Sequence, residues 1–404
     1  MTENNKYLDY FMMIGLIFIS GNIVFQHKAF MFGLFVMATG LFFSRKREFD
    51  VTFLYFLLVL FVIFILQGFK FNFFPFSTYI GVYIRILTAY FILKSLGITF
   101  IDKFIQVMYY IAIISLLFYL PILVAPELED LYTKLSLYSI QGDLLITRHS
   151  VLGLYTFVPM FMDKSAGPFW EMGAFGGYLV LTLLLSYLKG NPLFGKINII
   201  LILALLSTQS STAYVAFMLL LFFIAYKNTK DIILKFVVAF FLLGLGYVIY
   251  VNVPFLGEKI EDQITEATGY INAPSLEGED SQRFINLLKD WRDFEGHELI
   301  GRGGHVSTRY DSMLDHPQEG SEIRTVGSTD MIVRYGLPFF FLLLFYIYNS
   351  FCAYNQFYRE EGDTLCGSML IILLVLLMSE TYFQYSLFWM LMMFQYIYSK
   401  DKGK

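Results

Sequence analysis

The chain has 404 residues, of which 57% are hydrophobic and 15% charged, and its mean hydropathy is +0.60. A soluble domain of this length needs far more surface charge, so the composition excludes a water-soluble globular enzyme. The net charge of −4 says little about partners, while 45 Phe and 29 Tyr suit helices that meet lipid and its interface.

A helix needs roughly 20 apolar residues to cross the hydrocarbon core of a bilayer. In chain order, runs of that kind lie near 7–25, 29–43, 51–68, 77–95 and 104–125, a first membrane block within 1–125. No cleavage site follows the first run, which reads as a permanent helix and not a signal peptide. After a long segment at 126–167 come runs near 168–188, 197–208, 212–226 and 232–250, a second block over 168–250. The short pair at 197–208 and 212–226 either extends into its polar flanks or forms a tight hairpin. A larger segment, 251–328, holds 15 Asp/Glu against 7 Lys/Arg over 251–327. Runs near 329–349, 364–379 and 382–398 form the third block, over 329–404.

Lys and Arg accumulate on the cytoplasmic side of short loops. The cluster Arg45, Lys46 and Arg47 fixes one loop inside, and alternation then puts Lys94, Lys103, Lys189, Lys196, Lys227, Lys230 and Arg359 inside as well. The expected fold is an all-α polytopic membrane protein of about twelve transmembrane helices. Both termini lie in the cytoplasm and the two long segments, 126–167 and 251–328, lie outside. Cys352 and Cys366 flank an inner loop and read as free thiols. Within the larger loop, Phe284, Leu287, Leu288 and Trp291 fall on one helical stripe, predicting a helix that lies back on the membrane domain.

Charges inside a span are costly and each needs a reason. Arg85 stands eight residues from the outer end of its run, roughly 12 Å deep at the helical rise. Arg334 lies less deep, and either pairs with Asp330 at i, i+4 alone or also serves a site. Glu171 stands at an outer helix end, behind Pro168 in the first turn, with Gly173 and Gly177 spaced for close helix approach. The packing reading explains the glycines; an acid at the mouth of an outward cavity is the functional reading. The turn Ser207-Thr208-Gln209-Ser210-Ser211-Thr212 offers hydroxyls to a sugar or phosphate, or simply caps a helix. The larger loop carries Arg283, Arg292, Arg302, Arg309 and Arg324, whose guanidinium forks suit phosphate. His297, His305 and His316 lack metal-site spacing. There is no Walker loop, dinucleotide fingerprint or HExxH, so any reaction must use an already activated substrate.

Four stretches together resemble the Wzy-type polysaccharide polymerases and, more distantly, the O-antigen ligases. Gly167-Pro168-Phe169-Trp170-Glu171-Met172-Gly173 is similar to the G-x-F-x-E-P-G pattern, with Met172 in place of proline. Leu206 to Ala213 is placed like the S-x-S-R-G-A hairpin, with Ser211 where arginine is often found. Arg283, Trp291 and Leu299-Ile300-Gly301-Arg302-Gly303-Gly304 are similar to the external R…P-L-x-G-x-G stretch. Gly327-Ser328-Thr329-Asp330 to Pro338 leads back into the membrane, and Thr329-Asp330 occupies the place of the ligases' histidine, which favours a polymerase.

The resemblance implies a GT-C-like fold in a bacterial inner membrane. It implies a glycosyltransferase that moves a growing glycan from undecaprenyl diphosphate to a lipid-linked repeat unit, without metal, nucleotide or other cofactor. The implied partners are the bilayer, the undecaprenyl-diphosphate-linked oligosaccharide, a chain-length regulator and a flippase, with no nucleic acid. Arg283 is then the first candidate to stabilise the departing diphosphate, supported by Arg85 and Arg334, and Glu171 is the candidate base. Arg302, Arg292, Ser210 and Asp330 complete the candidate substrate contacts. A flippase-like transporter is the rival class, but it would place polar groups near the midplane, often with repeat symmetry.

Overall fold

A computed structural model describes residues 3–141, 146–231, 283–309, 326–358 and 365–398, with the isolated positions 235, 244, 265 and 268. Apart from those positions, the expected span at 232–250 and the stretches 251–282 and 310–325 lie outside the described residues.

The chain is mostly helical. The first block holds α1 (Glu3–Ile19), α2 (Lys28–Ser44), α3 (Val51–Lys70), α4 (Phe76–Leu96) and α5 (Phe100–Val124), followed by the short α6 (Glu129–Lys134). The second holds α7 (Met172–Leu188), α8 (Lys196–Ser207) and α9 (Ser211–Asn228). Then come α10 (Arg283–Phe294), α11 (Val306–Arg309), α12 (Gly327–Tyr335), α13 (Leu337–Tyr358) and α14 (Leu365–Leu377). Among the described residues, four stretches are long and apolar enough to cross a membrane: Val51–Lys70, Phe76–Val124, Ser211–Asn228 and Leu337–Tyr358. The apolar helices Lys28–Ser44, Met172–Leu188, Lys196–Ser207 and Cys366–Leu377 are shorter.

α3 shows why such helices need lipid. Phe53, Phe56, Leu60, Ile63, Phe64 and Gln67 form a buried stripe at helical spacing, yet the opposite face is Leu54, Tyr55, Leu58, Phe61, Val62 and Leu66, all exposed. In water that face would be a large apolar patch; against lipid tails it costs nothing.

The helix ends sort into two poles. At one, Asp9 binds Arg45 at 2.5 Å and Lys103 at 3.1 Å, Lys94 binds Asp50 at 2.7 Å, and Lys189 binds Asp102. These are the ends that the alternation of basic loops assigns to one side. The opposite pole gathers the long loops. There Asn22 donates to Gly153 O at 2.9 Å, Gln209 to Asp163 O at 2.8 Å, and Lys70 to Gly296 O at 2.9 Å.

α7 is the central helix: every residue from Gly173 to Leu188 is buried, among α5, α8, α9, α13 and α14. It begins at Met172, with Glu171 as N-cap, so Pro168 precedes the helix and is not in its first turn. The closest approach that Gly173 and Gly177 permit is made by side chains of the 380–382 turn, with Leu376 of α14 next at Gly177. A Cβ would stand 2.5 Å from Glu380 Oε1 at Gly173 and 1.9 Å from the Tyr382 hydroxyl at Gly177.

Three other expectations are corrected. The all-helical chain carries a small antiparallel sheet in the first long segment, β1 (Ser136–Gln141), β2 (Thr147–Val151) and β3 (Tyr155–Phe157), over a satellite core of Ile122, Tyr132, Val151, Tyr155 and Phe157. The run at 329–349 is split into α12 and α13 at Gly336, whose φ is +82°; a Cβ there would meet Leu299 O at 2.3 Å, so the loop around Leu299 crosses at the break. The last run, 382–398, is a chain of short turns around a four-residue helix (Ser386–Trp389), buried throughout most of its length. Irregular backbone at membrane depth survives only when enclosed by protein. Here the Ser20 hydroxyl accepts from Leu387 N at 2.9 Å and the Ser350 hydroxyl from Phe394 N at 2.5 Å.

Candidate functional site

Two polar clusters lie at the loop pole. The first ties residues 283–309 to α3 and α12. α10 does not lay down the expected stripe: Leu287 and Leu288 are half-buried and Trp291 is 64% exposed, while Ile285, Asn286, Asp290, Asp293 and Phe294 face inward. The reason is Arg309. Its guanidinium, 0% exposed, donates through Nη2 to Asp290 at 2.5 Å, through Nη1 to Asp293 at 2.7 Å and through Nε to Asp330 at 2.8 Å. Three carboxylates on two helices converge on one cation, and α10 is turned to deliver them. Thr329 adds a hydroxyl bond to Asp290. The expected i, i+4 pair is also present, Arg334 Nε to Asp330 Oδ2 at 2.8 Å. Asp330 is fully buried and accepts from both guanidiniums, through Oδ1 from Arg309 and through Oδ2 from Arg334.

The glycine-rich loop seals this arm onto α12. Arg302 N and Gly303 N donate to Val333 O at 2.7 Å and Arg334 O at 3.0 Å, and Gln67 of α3 donates to Arg334 O at 2.8 Å.

The second cluster joins elements far apart in the chain. Arg85 on α4 is half-buried and makes no ion pair among the described residues; Tyr335, Tyr385 and Arg334 lie within its electrostatic reach. Tyr385 links the cluster, with Glu380, Arg85 and Glu171 within electrostatic reach of its hydroxyl and the Gln26 side chain beside it. Trp170 stacks on the Tyr385 ring, centroids 4.4 Å apart. The Tyr382 hydroxyl donates to Gly173 O at 3.0 Å, locking the 380–385 turn to the start of α7. Glu171 sits at the N-cap, but its side chain makes no capping bond. Its place at the N-terminus of α7 is the one the helix dipole favours for an acid.

Of the residues predicted for a site, Arg85 and Arg334 lie within electrostatic reach of each other, and Glu171 meets Arg85 only through their shared neighbour Tyr385. Asp330 is buried between Arg309 and Arg334. Arg302 is buried with its Nε on Asp293 O at 2.6 Å. Arg292 is exposed on α10. Ser210 is the N-cap of α9, accepting from Ala213 N at 3.4 Å, so the turn-and-cap reading of that hairpin holds. Arg283 opens α10, but its side chain lies outside the described residues. Neither Cys352 nor Cys366 is in a disulfide.

Sequence reasoning missed Glu380, Tyr385 and the role of Arg309. Glu380 is 5% exposed, yet it interrupts two apolar runs and so passed for a span boundary. Its backbone is gripped by α12: a Cβ on Gly327 would stand 2.1 Å from Glu380 O. Alanine favours a helix over glycine by about 1 kcal/mol. Gly327→Ala is nevertheless expected to destabilise by roughly 1–3 kcal/mol through this backbone clash, read as a lower thermal midpoint of the purified protein. A raised midpoint would show that the contact yields.

No protein-family model, curated protein or solved structure matches the chain.

Proposed function

We propose that the chain is a polysaccharide polymerase of the Wzy type. It would transfer a growing glycan from undecaprenyl diphosphate to the non-reducing end of a lipid-linked repeat unit. In this reading the chain has twelve spans in a GT-C-like arrangement in a bacterial inner membrane. The basic pole and both termini face the cytoplasm and the loop pole faces outward. The observation that carries it is Arg85, a guanidinium within a membrane helix that has no ion pair among the described residues, lies within electrostatic reach of Arg334, and shares the neighbour Tyr385 with Glu171. A fixed cation in an apolar setting suits charge that appears only during reaction.

The chemistry balances without an energy-using domain. The bond from the donor sugar carbon to the diphosphate oxygen breaks, and the diphosphate keeps the electron pair, facing Arg85 with Arg334 and Arg283 in support. The acceptor hydroxyl forms the new bond, and its proton passes to Glu171. Arg309 takes no part in this, since its fork is filled by three carboxylates. Glu171 and Asp330 stand at helix ends of the loop pole, which favours transfer over transport, while Arg85 lies near the middle of α4.

The test is a gel profile of surface polysaccharide from a strain lacking the gene, beside the complemented strain. Loss of the ladder with single repeat units remaining is the expected result. An intact ladder would sink the reading, and full-length polymer left on its lipid carrier would mark a ligase instead.

A further inference from the structure

Charge sorts the second cluster into two ends, and only one of them suits phosphate. The Arg85 and Arg334 end is cationic. The other end holds two carboxylates, Glu171 and Glu380, and these repel phosphate. It also holds two stacked, part-exposed aromatic rings, Trp170 and Tyr385, and the Gln26 amide. A further hydroxyl, that of Tyr178, is buried there, 1% exposed, without a hydrogen-bond partner among the described residues and within electrostatic reach of Glu380 and Tyr385. Aromatic faces with a few fixed acceptors and an amide are the chemistry that recognises an uncharged polyol ring: its C–H face lies on the aromatic face, and its hydroxyls donate to carboxylates. Tyr385 belongs to both ends, because it is stacked on Trp170 and lies near Arg85. A ligand that spans them therefore carries its ring next to its phosphate.

We infer that Trp170 and Tyr385, with Glu171 and Gln26, form a subsite for the pyranose attached directly to the diphosphate, and that this subsite takes neutral sugars. The inference rests on the proposed reading of the Arg85 end as the diphosphate site and adds the sugar class to it. The 380–385 turn is held against α7 through Tyr382 and Gly173, so the platform is part of the rigid bundle and not of the outer arm.

The experiment is equilibrium binding to the purified full chain in nanodiscs. The probes are undecaprenyl diphosphate, undecaprenyl diphospho-N-acetylglucosamine and undecaprenyl diphospho-galactose. The sugar-bearing lipids are expected to bind about tenfold more tightly than the bare diphosphate, the scale of one good ring contact. Trp170→Ala should erase that increment and leave the bare lipid's affinity unchanged, and Trp170→Phe should keep most of it. Sugars that add nothing, or a Trp170→Ala variant that weakens all three lipids equally, would overturn the subsite while leaving the diphosphate reading standing. Bare-lipid affinity that does not fall in Arg85→Ala overturns the diphosphate reading instead, and a chain that binds none of the three lipids overturns both.

Discussion

Arg85→Ala is expected to reduce polymer formation by about 100- to 1,000-fold, the usual loss when one preorganised donor to developing charge is removed, with protein levels in the membrane unchanged. The side chain sits on a membrane helix, and the groups around it are tyrosine hydroxyls and a second arginine, not an ion-paired acid. By insertion scales such a cation costs on the order of 2.5–3.5 kcal/mol. Replacing it with an apolar side chain of similar length should therefore stabilise the fold. Arg85→Met is expected to raise the thermal midpoint while abolishing elongation, the pattern of a residue kept for function at the expense of stability. Arg85→Lys keeps the charge but loses the planar fork, and should fall between wild type and alanine. Elongation in nanodiscs and a melting curve on the same preparations read both halves. A normal ladder from Arg85→Ala would remove the residue from the mechanism, and a lowered midpoint in Arg85→Met would make it structural.

The second large effect is expected at Arg309. Removing one partner of a buried ion pair costs about 3–5 kcal/mol, because the opposite charge is left buried and uncompensated. Here three carboxylates lose their common partner at once. Arg309→Met is expected to release α10 and the loop at 295–305 from α12, seen as loss of hydrogen-exchange protection over 285–305, while α3, α4 and α7 stay protected. Activity should fall with it, since α10 carries Arg283 and α12 carries Arg334. Adding Asp290→Asn and Asp293→Asn to Arg309→Met should restore part of the protection by removing the orphaned charges. Unchanged exchange over 285–305 in Arg309→Met would show that the glycine-rich loop and Gln67 hold the arm without the ionic cluster.

Much of this was written locally. Apolar run length placed α2, α3, α4, α5, α8 and α9 within a few residues of where they stand, because a helix in lipid satisfies its own backbone and needs little from the rest of the chain. The spacing of Asp330 and Arg334 foretold their pair, and Ser210 its cap, since both bonds close within one turn. The alternation of basic loops foretold which ends would meet, and Asp9, Arg45 and Lys103 do meet. Where the reading failed, a distant partner outweighed local pattern. The apolar stripe of α10 argued for Leu287, Leu288 and Trp291 facing inward, but turning Asp290 and Asp293 toward Arg309 leaves Trp291 outside. The 382–398 run is apolar enough for a helix, yet hydroxyls from Ser20 and Ser350 support another course for its backbone.

The sequence by itself thus determined that the chain enters lipid, where most helices begin and end, and which of their ends share a pole, because these depend on burial periodicity and charge counted along a short stretch. Only the tertiary structure decided that Glu380 and Tyr385 join Arg85 and Glu171, and that Arg309 is a clamp and not a phosphate ligand. Those roles depend on which residues, hundreds of positions apart, occupy the same few ångströms, and no local pattern encodes that.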